Sequence, residues 1–461
     1  MSLALHTDRY QLTMLAAYAR TGLAERRAAF ELFVRRLPPS RRFLVACGVG
    51  RAVEALRELR FSSDDLAWLE ADSFLGPAFR HRSVRDLFER FRFRGRVLAV
   101  PEGRVCFPGE PLLRVEGTLA EAQLVETLLL SIINHDTRVA SKCARIVLAA
   151  RGRDCFEFGT RRTHEHAAVA AARAAWIAGF AGTSNEEAAR RWGVPVSGTM
   201  AHAFVLAHAA DHGEEGERAS FEAFAETFEV PATALVDTFD TLRGVDRAIA
   251  ASNGARTSRP SIGGVRIDSG DLATLALHAR TRLDVAGMAG TRIVLSDDLD
   301  EHRIDALTRG HVPVDAFGVG TMAVATPDAP SLGAVYKLVA LEDAAGRLVA
   351  VQKRSSGKGS SAGPKQVFRS GLDDAGLEDV VGVDGEPLPG EPVLQEVFGP
   401  RVGVDLSAAA ARARCAADLA LLPARLRSID PRGGDEDFPV RKSAALTALH
   451  DTVDREGRAV L

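Results

Sequence analysis

Apolar positions along the chain change period several times, and each change predicts an element. Near the N-terminus Leu12, Leu15, Ala16 and Ala19 recur at helical spacing behind Thr7, which predicts a helix of about three turns with Thr7 as its N-cap. Residues Ala29 to Arg35 then alternate like a half-buried strand, and Leu98 to Val105 and Pro111 to Val115 read as further strands between Pro and Gly turns. From Leu119 to Ala150 the helical period returns through Leu124, Leu128, Ile132, Val139, Cys143 and Val147, which predicts one or two buried helices.

After residue 154 the texture becomes an alternation. Short apolar or β-branched runs lie at Asp154 to Phe158, Val194 to Val196, Ala234 to Val236, Gly264 to Ile267, Arg292 to Leu295, Val314 to Phe317 and Ala334 to Val339. Helical patterns separate them at Glu186 to Arg191, Ser220 to Phe228, Gly244 to Ser252, Leu272 to Leu283 and Leu299 to Arg309. Repeated βα units imply a parallel sheet, and an array of this length favours a barrel over an open sheet. A full barrel takes about 250 residues, more than this window holds, so the expected fold is α/β with an irregular or incomplete TIM-like barrel. Arg354 to Gln366 and Val380 to Glu391 read as Gly, Ser and Pro-rich loops, Leu406 to Leu426 as an amphipathic helix, and Asp430 to Asp437 as a solvated turn. The expected organisation is an N-terminal α/β domain at 1–125, the barrel at 126–340 and a C-terminal segment at 341–461 packing on the N-terminal domain.

Composition narrows the function classes. With 58 basic and 61 acidic residues the net charge is -3, too little positive charge to coat a nucleic acid, so no nucleic-acid partner is expected. The most apolar stretch, Ala167 to Gly182, is interrupted by Arg173 and too short to span a bilayer, so no membrane partner is expected either. Five scattered Cys form no CxxC pair, charge precedes any apolar core at the N-terminus, and a reducing, cytoplasmic setting is expected.

Polar clusters gather where the expected strands end: Glu157 to Arg162, Ser197 to His202, Asp237 to Asp240, Arg266 to Asp271, Ser296 to Asp298 and Phe317 to Thr321. In a parallel barrel the loops after the strands converge on one rim, which makes that rim the candidate site. Asp271 and Asp300 are favoured as helix caps, a reading that cannot serve Arg161, Arg162, His202 or Arg266. Gly318, Gly320 and Thr321 follow a strand and could bring backbone N–H groups to a phosphate. Asp237 and Asp268 could chelate a metal, bind sugar hydroxyls or stabilise a cationic transition state. Only six of the basic residues are Lys, and Lys353, Lys358 and Lys365 fall within thirteen residues of one another, as in a cationic loop closing over a polyphosphate.

Together these motifs resemble the nicotinate phosphoribosyltransferase family. The matches run in order through Thr7 to Thr13, Glu157 to Arg162, Gly182 to Asn185, Gly198 to His202, Arg266 to Leu272, Phe317 to Thr321 and Val335 to Val339. The resemblance implies a type II phosphoribosyltransferase fold, with a second, smaller α/β domain built from the N- and C-terminal segments, and a homodimer with shared active sites. It implies transfer of a phosphoribosyl group from phosphoribosyl pyrophosphate to nicotinate for NAD biosynthesis, formally a C–N ligase reaction, with ATP as co-substrate and Mg2+ as expected cofactor. It assigns His202 as a phosphohistidine, with Asp268, Asp237 and Arg266 as further catalytic residues. Asp8, Tyr10, Phe158, Arg161, Ser184, Thr199, Arg266, Gly318, Gly320 and Thr321 are its substrate-binding positions, and the metal ligands are left open. Ala203 follows His202 where the family often has Ser or Glu, so the sequence names no partner for the imidazole. Two other activities fit less well: nicotinamide phosphoribosyltransferase, which carries an aspartate where this chain has Ser184, and a phosphate-binding barrel lyase, which needs a Schiff-base lysine, for which Lys337 is the strand candidate.

Overall fold

The computed structural model describes residues 2–228, 231–253, 262–353, 361–372, 378–430 and 438–461. The chain divides into two compact units, Met1–Ser141 with Asp328–Leu461, and Lys142–Pro327. The joins fall at 141/142 and 327/328, where the expected boundaries were 125/126 and 340/341. The reason at the first join is that the helix Glu126–Ala150 runs straight through it.

In the unit built from both chain ends, the described residues form a seven-stranded antiparallel sheet in the order 395–398, 96–99, 111–118, 27–34, 334–342, 348–350, 459–460. Its centre is Arg27–Val34, whose Phe30, Leu32 and Val34 are buried beside Val115 and Leu15. Phe30 stacks on Tyr336 with ring centroids 5.0 Å apart, and the Tyr336 hydroxyl donates to Ala122 O at 2.7 Å. The strand is buried on both faces where half-burial was expected, because Glu31 on the opposite side pairs with Lys365 at 2.7 Å. Lys365 is therefore no loop cation: its ammonium also donates to Ser361 O and Gly363 O, and burial holds its pKa below the ordinary lysine value. Lys353 lines a cavity of about 530 Å3 together with Lys442 and His450, and Lys358 lies outside the described residues.

Several local expectations change here. The first helix is Arg9–Thr21, and its N-cap position is Asp8, one residue after Thr7. Leu98 to Val105 is broken into Arg96–Ala99 and Val105–Cys106 by the turn at Gly103, whose φ of +92° suits only glycine. Ala334–Glu342 belongs to the antiparallel sheet, so Lys337 is not a barrel lysine and the lyase reading loses its Schiff base. Within Val380 to Glu391, the first residues complete the strand Glu378–Val383, which pairs with Lys365–Gly371. The Leu406 to Leu426 segment is helical at Ala408–Leu421, and most of Asp430 to Asp437 lies outside the described residues.

The second unit carries a six-stranded sheet of parallel neighbours, ordered 182–183, 154–157, 316–319, 292–295, 262–267, 232–235. Val194 to Val196 contributes only a single parallel bridge, Thr183 with Val196. The outer strands do not pair with each other among the described residues, so the sheet curls as an incomplete barrel. Helices 165–177, 186–192, 202–212, 216–227, 241–253, 272–285 and 301–309 lie between the strands in sequence. Asp271 and Asp300 do cap helices, accepting from Thr274 N and from His302 N and Arg303 N. The helix beginning at Glu301 is tied to the helix before the sheet, since the buried Glu301 carboxylate meets Lys142 at 2.6 Å and Arg145 at 3.1 Å. Among the described residues no helix is long and apolar enough to cross a membrane.

A buried charge cluster in the first unit generates a pH prediction. Arg369 forks onto Asp379 at 2.9 and 2.6 Å and lies over the stacked rings of Phe107 and Phe438. Glu110, fully buried, accepts from Phe107 N at 3.2 Å, while its Oε1 has no partner. Burial, then the Asp379 carboxylate, pushes the Glu110 pKa well above the ordinary range, so the folded protein keeps it protonated. A raised folded pKa contributes stability that is full below the unfolded value of about 4.3 and is lost as pH rises toward the folded value. Glu110→Gln should therefore gain stability over wild type by about 1.4 kcal/mol per pH unit within that window. Thermal unfolding from pH 5 to 9 checks this, and a wild-type to variant difference that stays flat with pH would contradict it.

Candidate functional site

A cavity of about 370 Å3 runs along the parallel strands, lined near their carboxyl ends by Phe158, Arg161, Ser184 and Thr199 and along the strands by Phe156, Arg266, Arg292 and Ala316 among others. Five of the residues nominated from sequence thus share one cavity. Phe158 leaves the strand Asp154–Glu157 and its N–H still pairs with Val319 O at 2.9 Å, so the ring stands where the strand ends. Gly318 sits opposite within the strand Ala316–Val319. A Cβ there would come within 2.6 Å of the Phe158 ring, so this glycine makes room for the aromatic. Arg266 also lies over this ring, its guanidinium carbon 5.3 Å from the Phe158 centroid.

Arg266 is itself held in place. Its Nε donates to Ser296 Oγ at 2.9 Å and an Nη to Asp268 Oδ1 at 2.8 Å, while Ser296 Oγ donates to the same Asp268 oxygen. Asp237, on the neighbouring strand end, accepts through Oδ2 from Asp268 N at 3.2 Å and Ser269 Oγ at 2.6 Å. Its Oδ1 is buried and without a hydrogen-bond partner.

His202 opens the helix His202–His212, and 41% of its side chain is exposed. Its Nδ1 meets Thr238 Oγ1 at 3.0 Å and its Nε2 stands 4.0 Å from Asp237 Oδ1. Thr238 is the partner that the sequence did not name. It lies in a rim cluster, 36 positions away, and only the fold brings it to the imidazole. Ser296 was missed in the same way.

Gly320 and Thr321 begin the short helix Thr321–Ala325, and Thr321 Oγ1 donates to Asp298 Oδ1 at 3.2 Å. Asp297 and Asp298 both have positive φ, +108° and +40°, an uncommon backbone for residues with side chains and one that clusters at functional sites. Among the described residues no group of three or more His, Cys, Asp or Glu could hold a metal ion by itself.

Asp8 and Tyr10 belong to the other unit. They line a cavity of about 430 Å3 with Thr127, Ser131, Asn134 and His135. Thr127 Oγ1 donates to Asp8 Oδ2 at 2.8 Å, and Tyr10 is 48% exposed. Partial burial, then the Glu126 and Asp8 carboxylates, raises the Tyr10 pKa, which keeps the phenol neutral.

Two family models match the chain: nicotinate phosphoribosyltransferase (NAPRTase) N-terminal domain at residues 5–134, and nicotinate phosphoribosyltransferase (NAPRTase) family at residues 154–379. Nicotinate phosphoribosyltransferase pncB1 of Mycobacterium tuberculosis is 47% identical over 449 residues, 95% of this chain and 94% of the relative. Nicotinate phosphoribosyltransferase of Bacillus subtilis is 43% identical over 80% of this chain and 73% of its own length. The crystal structure of human nicotinic acid phosphoribosyltransferase superposes with a TM-score of 0.81 at 28% identity, covering 97% of this chain and 99% of that one.

The packing of Phe158 on Gly318 can be tested on its own. Gly318→Ala should cost about 1–3 kcal/mol as the ring is pushed aside, and Phe158→Leu should relieve most of that cost. A double-mutant cycle on thermal or urea unfolding reads the coupling, and additive effects would show that the two do not share the space.

Proposed function

The chain belongs to the nicotinate phosphoribosyltransferase family, and from that premise we propose that it transfers the phosphoribosyl group of phosphoribosyl pyrophosphate to the ring nitrogen of nicotinate, with ATP hydrolysis coupled through His202. The observation that carries this reading is one cavity in which an aromatic face, Phe158, meets the guanidinium groups of Arg161, Arg266 and Arg292 and hydroxyls that include those of Ser184 and Thr199. A flat ring bearing a carboxylate suits such a slot: the ring stacks on Phe158 and the acid group takes charge-assisted hydrogen bonds.

Pyridine nitrogen has a free lone pair, so the bond to the ribosyl carbon forms without a general base. The harder event is cleavage of the bond to pyrophosphate, which leaves cationic character on the sugar. Asp268 and Asp237 place negative charge beside it, with Arg266 and Ser296 fixing the Asp268 carboxylate. The unpartnered, buried Asp237 Oδ1 suits a hard cation that takes one or two carboxylates and completes its shell with substrate phosphates, and Asp237 with Asp268 would hold Mg2+ in that way. Bound there, Mg2+ would neutralise charge on the departing pyrophosphate. Gly320 and Thr321 are assigned to the 5′-phosphate.

Thr238 on Nδ1 orients the His202 ring and leaves Nε2, nearer Asp237, as the nitrogen open to a phosphoryl group. Asp8 and Tyr10 are assigned to the site of a second copy in a homodimer, supported by the exposed Tyr10 in a unit built from the chain ends.

His202→Ala should abolish ATP hydrolysis and ATP stimulation while leaving a slow ATP-independent transfer, because the ribosyl step uses Asp268 and Arg266 and no imidazole. Acid-labile, base-stable label from γ-labelled ATP should appear on wild type and vanish in the variant. Label that persists, or ATP stimulation that survives, would make His202 structural. Ser184→Asp should shift preference from nicotinate toward nicotinamide by roughly tenfold or more, since a second carboxylate repels the acid and accepts from the amide. Competition assays with the two substrates read the ratio. Mixing Tyr10→Ala with His202→Ala chains should restore one competent site per heterodimer, and an active monomer in solution would refute the shared site.

A further inference from the structure

One charged side chain of the rim has no part in the chemistry above. Glu157 ends the strand Asp154–Glu157, next to Phe158, and is 1% exposed. Its Oε1 accepts from the N–H of Gly159, and its Oε2 accepts from the Thr183 hydroxyl at 2.6 Å. Thr183 Oγ1 accepts in turn from Asn185 N at 3.0 Å, and Thr183 O takes the N–H of Ser197 at 2.8 Å. Ser184 N donates to the Glu157 carbonyl at 2.9 Å, and Asn185 Nδ2 donates to Thr160 Oγ1 at 3.2 Å. One buried carboxylate and one hydroxyl are therefore fixed to the backbone on both sides of Phe158 and of Ser184, and the Thr183 carbonyl holds the head of the loop leading to Thr199.

Little freedom remains for this junction to adjust. A Cβ on Gly159 would meet Val324 at 2.5 Å and Glu157 Oε1 at 2.9 Å, so the turn is packed as well as hydrogen-bonded. Burial raises the Glu157 pKa, yet its carboxylate accepts from two donors, which suit the ionised form.

We propose that Glu157, acting through Thr183, is a positioning residue that sets the separation of Phe158 from Ser184 and so decides how well the slot accepts the acid group of its aromatic substrate. The inference rests on the functional reading of that slot given above. Glutamine keeps the volume of Glu157 but turns one acceptor into a donor. Its amide nitrogen must then face either the Gly159 N–H or a Thr183 hydroxyl that already accepts from Asn185, and a buried donor is left unpaired in both cases.

The experiment uses the full chain as Glu157→Gln, Thr183→Val and Thr183→Ser. Nicotinate and phosphoribosyl pyrophosphate are varied separately, nicotinamide serves as competitor, and thermal unfolding is read in parallel. Glu157→Gln and Thr183→Val should each raise KM for nicotinate about tenfold. In both, KM for phosphoribosyl pyrophosphate should stay near wild type, kcat should change far less than KM, and discrimination against nicotinamide should fall. Thr183→Ser, which keeps the hydroxyl, should restore wild-type values. If Glu157→Gln fails to fold, Thr183→Val against Thr183→Ser carries the test. A lower melting temperature with nicotinate KM and discrimination unchanged would overturn the proposal, since that is what a purely structural carboxylate gives. Ser184→Asp separates the two readings. If it moves the acid-to-amide ratio while the Glu157 and Thr183 variants do not, this inference alone fails, and if it leaves the ratio unmoved the slot itself is misassigned and the inference falls with it.

Discussion

Very short parallel strands must end somewhere, and every backbone group left unpaired at those ends needs a partner. In the Lys142–Pro327 unit the strands run for only two to six residues. Backbone pairing carries on for one residue past them, with Val236 N on Arg266 O, Ser296 N on Ile267 O and Phe158 N on Val319 O. Carboxylates then take over. Asp237 accepts the next backbone N–H, that of Asp268, and Glu157 accepts that of Gly159. These carboxylates do not line the cavity themselves but are tied to residues that do, Glu157 beside Phe158 and Asp237 through Asp268 to Arg266, so holding the strand ends together also arranges the cavity wall.

The polar side chains at the strand ends therefore come in tied sets: Asp237 with Ser269, Asp268 with Arg266 and Ser296, His202 with Thr238 and Glu157 with Thr183. In each set a hydrogen bond from one member restricts the rotamers of another. Such preorganisation lets electrostatic stabilisation act without reorganisation at the moment of reaction. The same logic places Gly318 beneath Phe158, where a missing Cβ rather than a flexible backbone is what the site requires.

The other unit solves a different problem. Its central strand is buried on both faces, so Glu31 could be accommodated only with Lys365 beside it, and Arg369 and Asp379 form a second buried ion pair, next to the buried Glu110. Buried ion pairs of this kind add little net stability but cost several kcal/mol when one partner is removed. They explain why a cluster of lysines that looks like a ligand-binding loop in one dimension divides in three. Lys365 is structural, and Lys353 lines a cavity.

How much could be read without coordinates follows from the range of the interactions involved. Strand and helix patterning in 154–319, polar residues after each strand, caps at Asp271 and Asp300, and the cluster of Phe158, Arg161, Ser184, Thr199 and Arg266 are legible because each depends on local periodicity or on an ordered motif. Thr7 as a cap and Val380 to Glu391 as a loop failed at the scale of one residue or one short strand, where neighbouring Gly and Pro outweigh three or four apolar positions. The assignment of Ala334–Glu342 to the antiparallel sheet was not legible at all, since an apolar strand carries no mark of which sheet it will join. Thr238 on His202, Ser296 on Asp268, Thr183 on Glu157 and Glu31 on Lys365 are separated by 36, 28, 26 and 334 positions. Patterning by itself determined most of the elements and the strand ends where the polar residues gather. Which hydroxyl or carboxylate restrains which functional group was decided only by tertiary structure, because a hydrogen bond requires two groups within about 3 Å and nothing in a one-dimensional pattern encodes that distance.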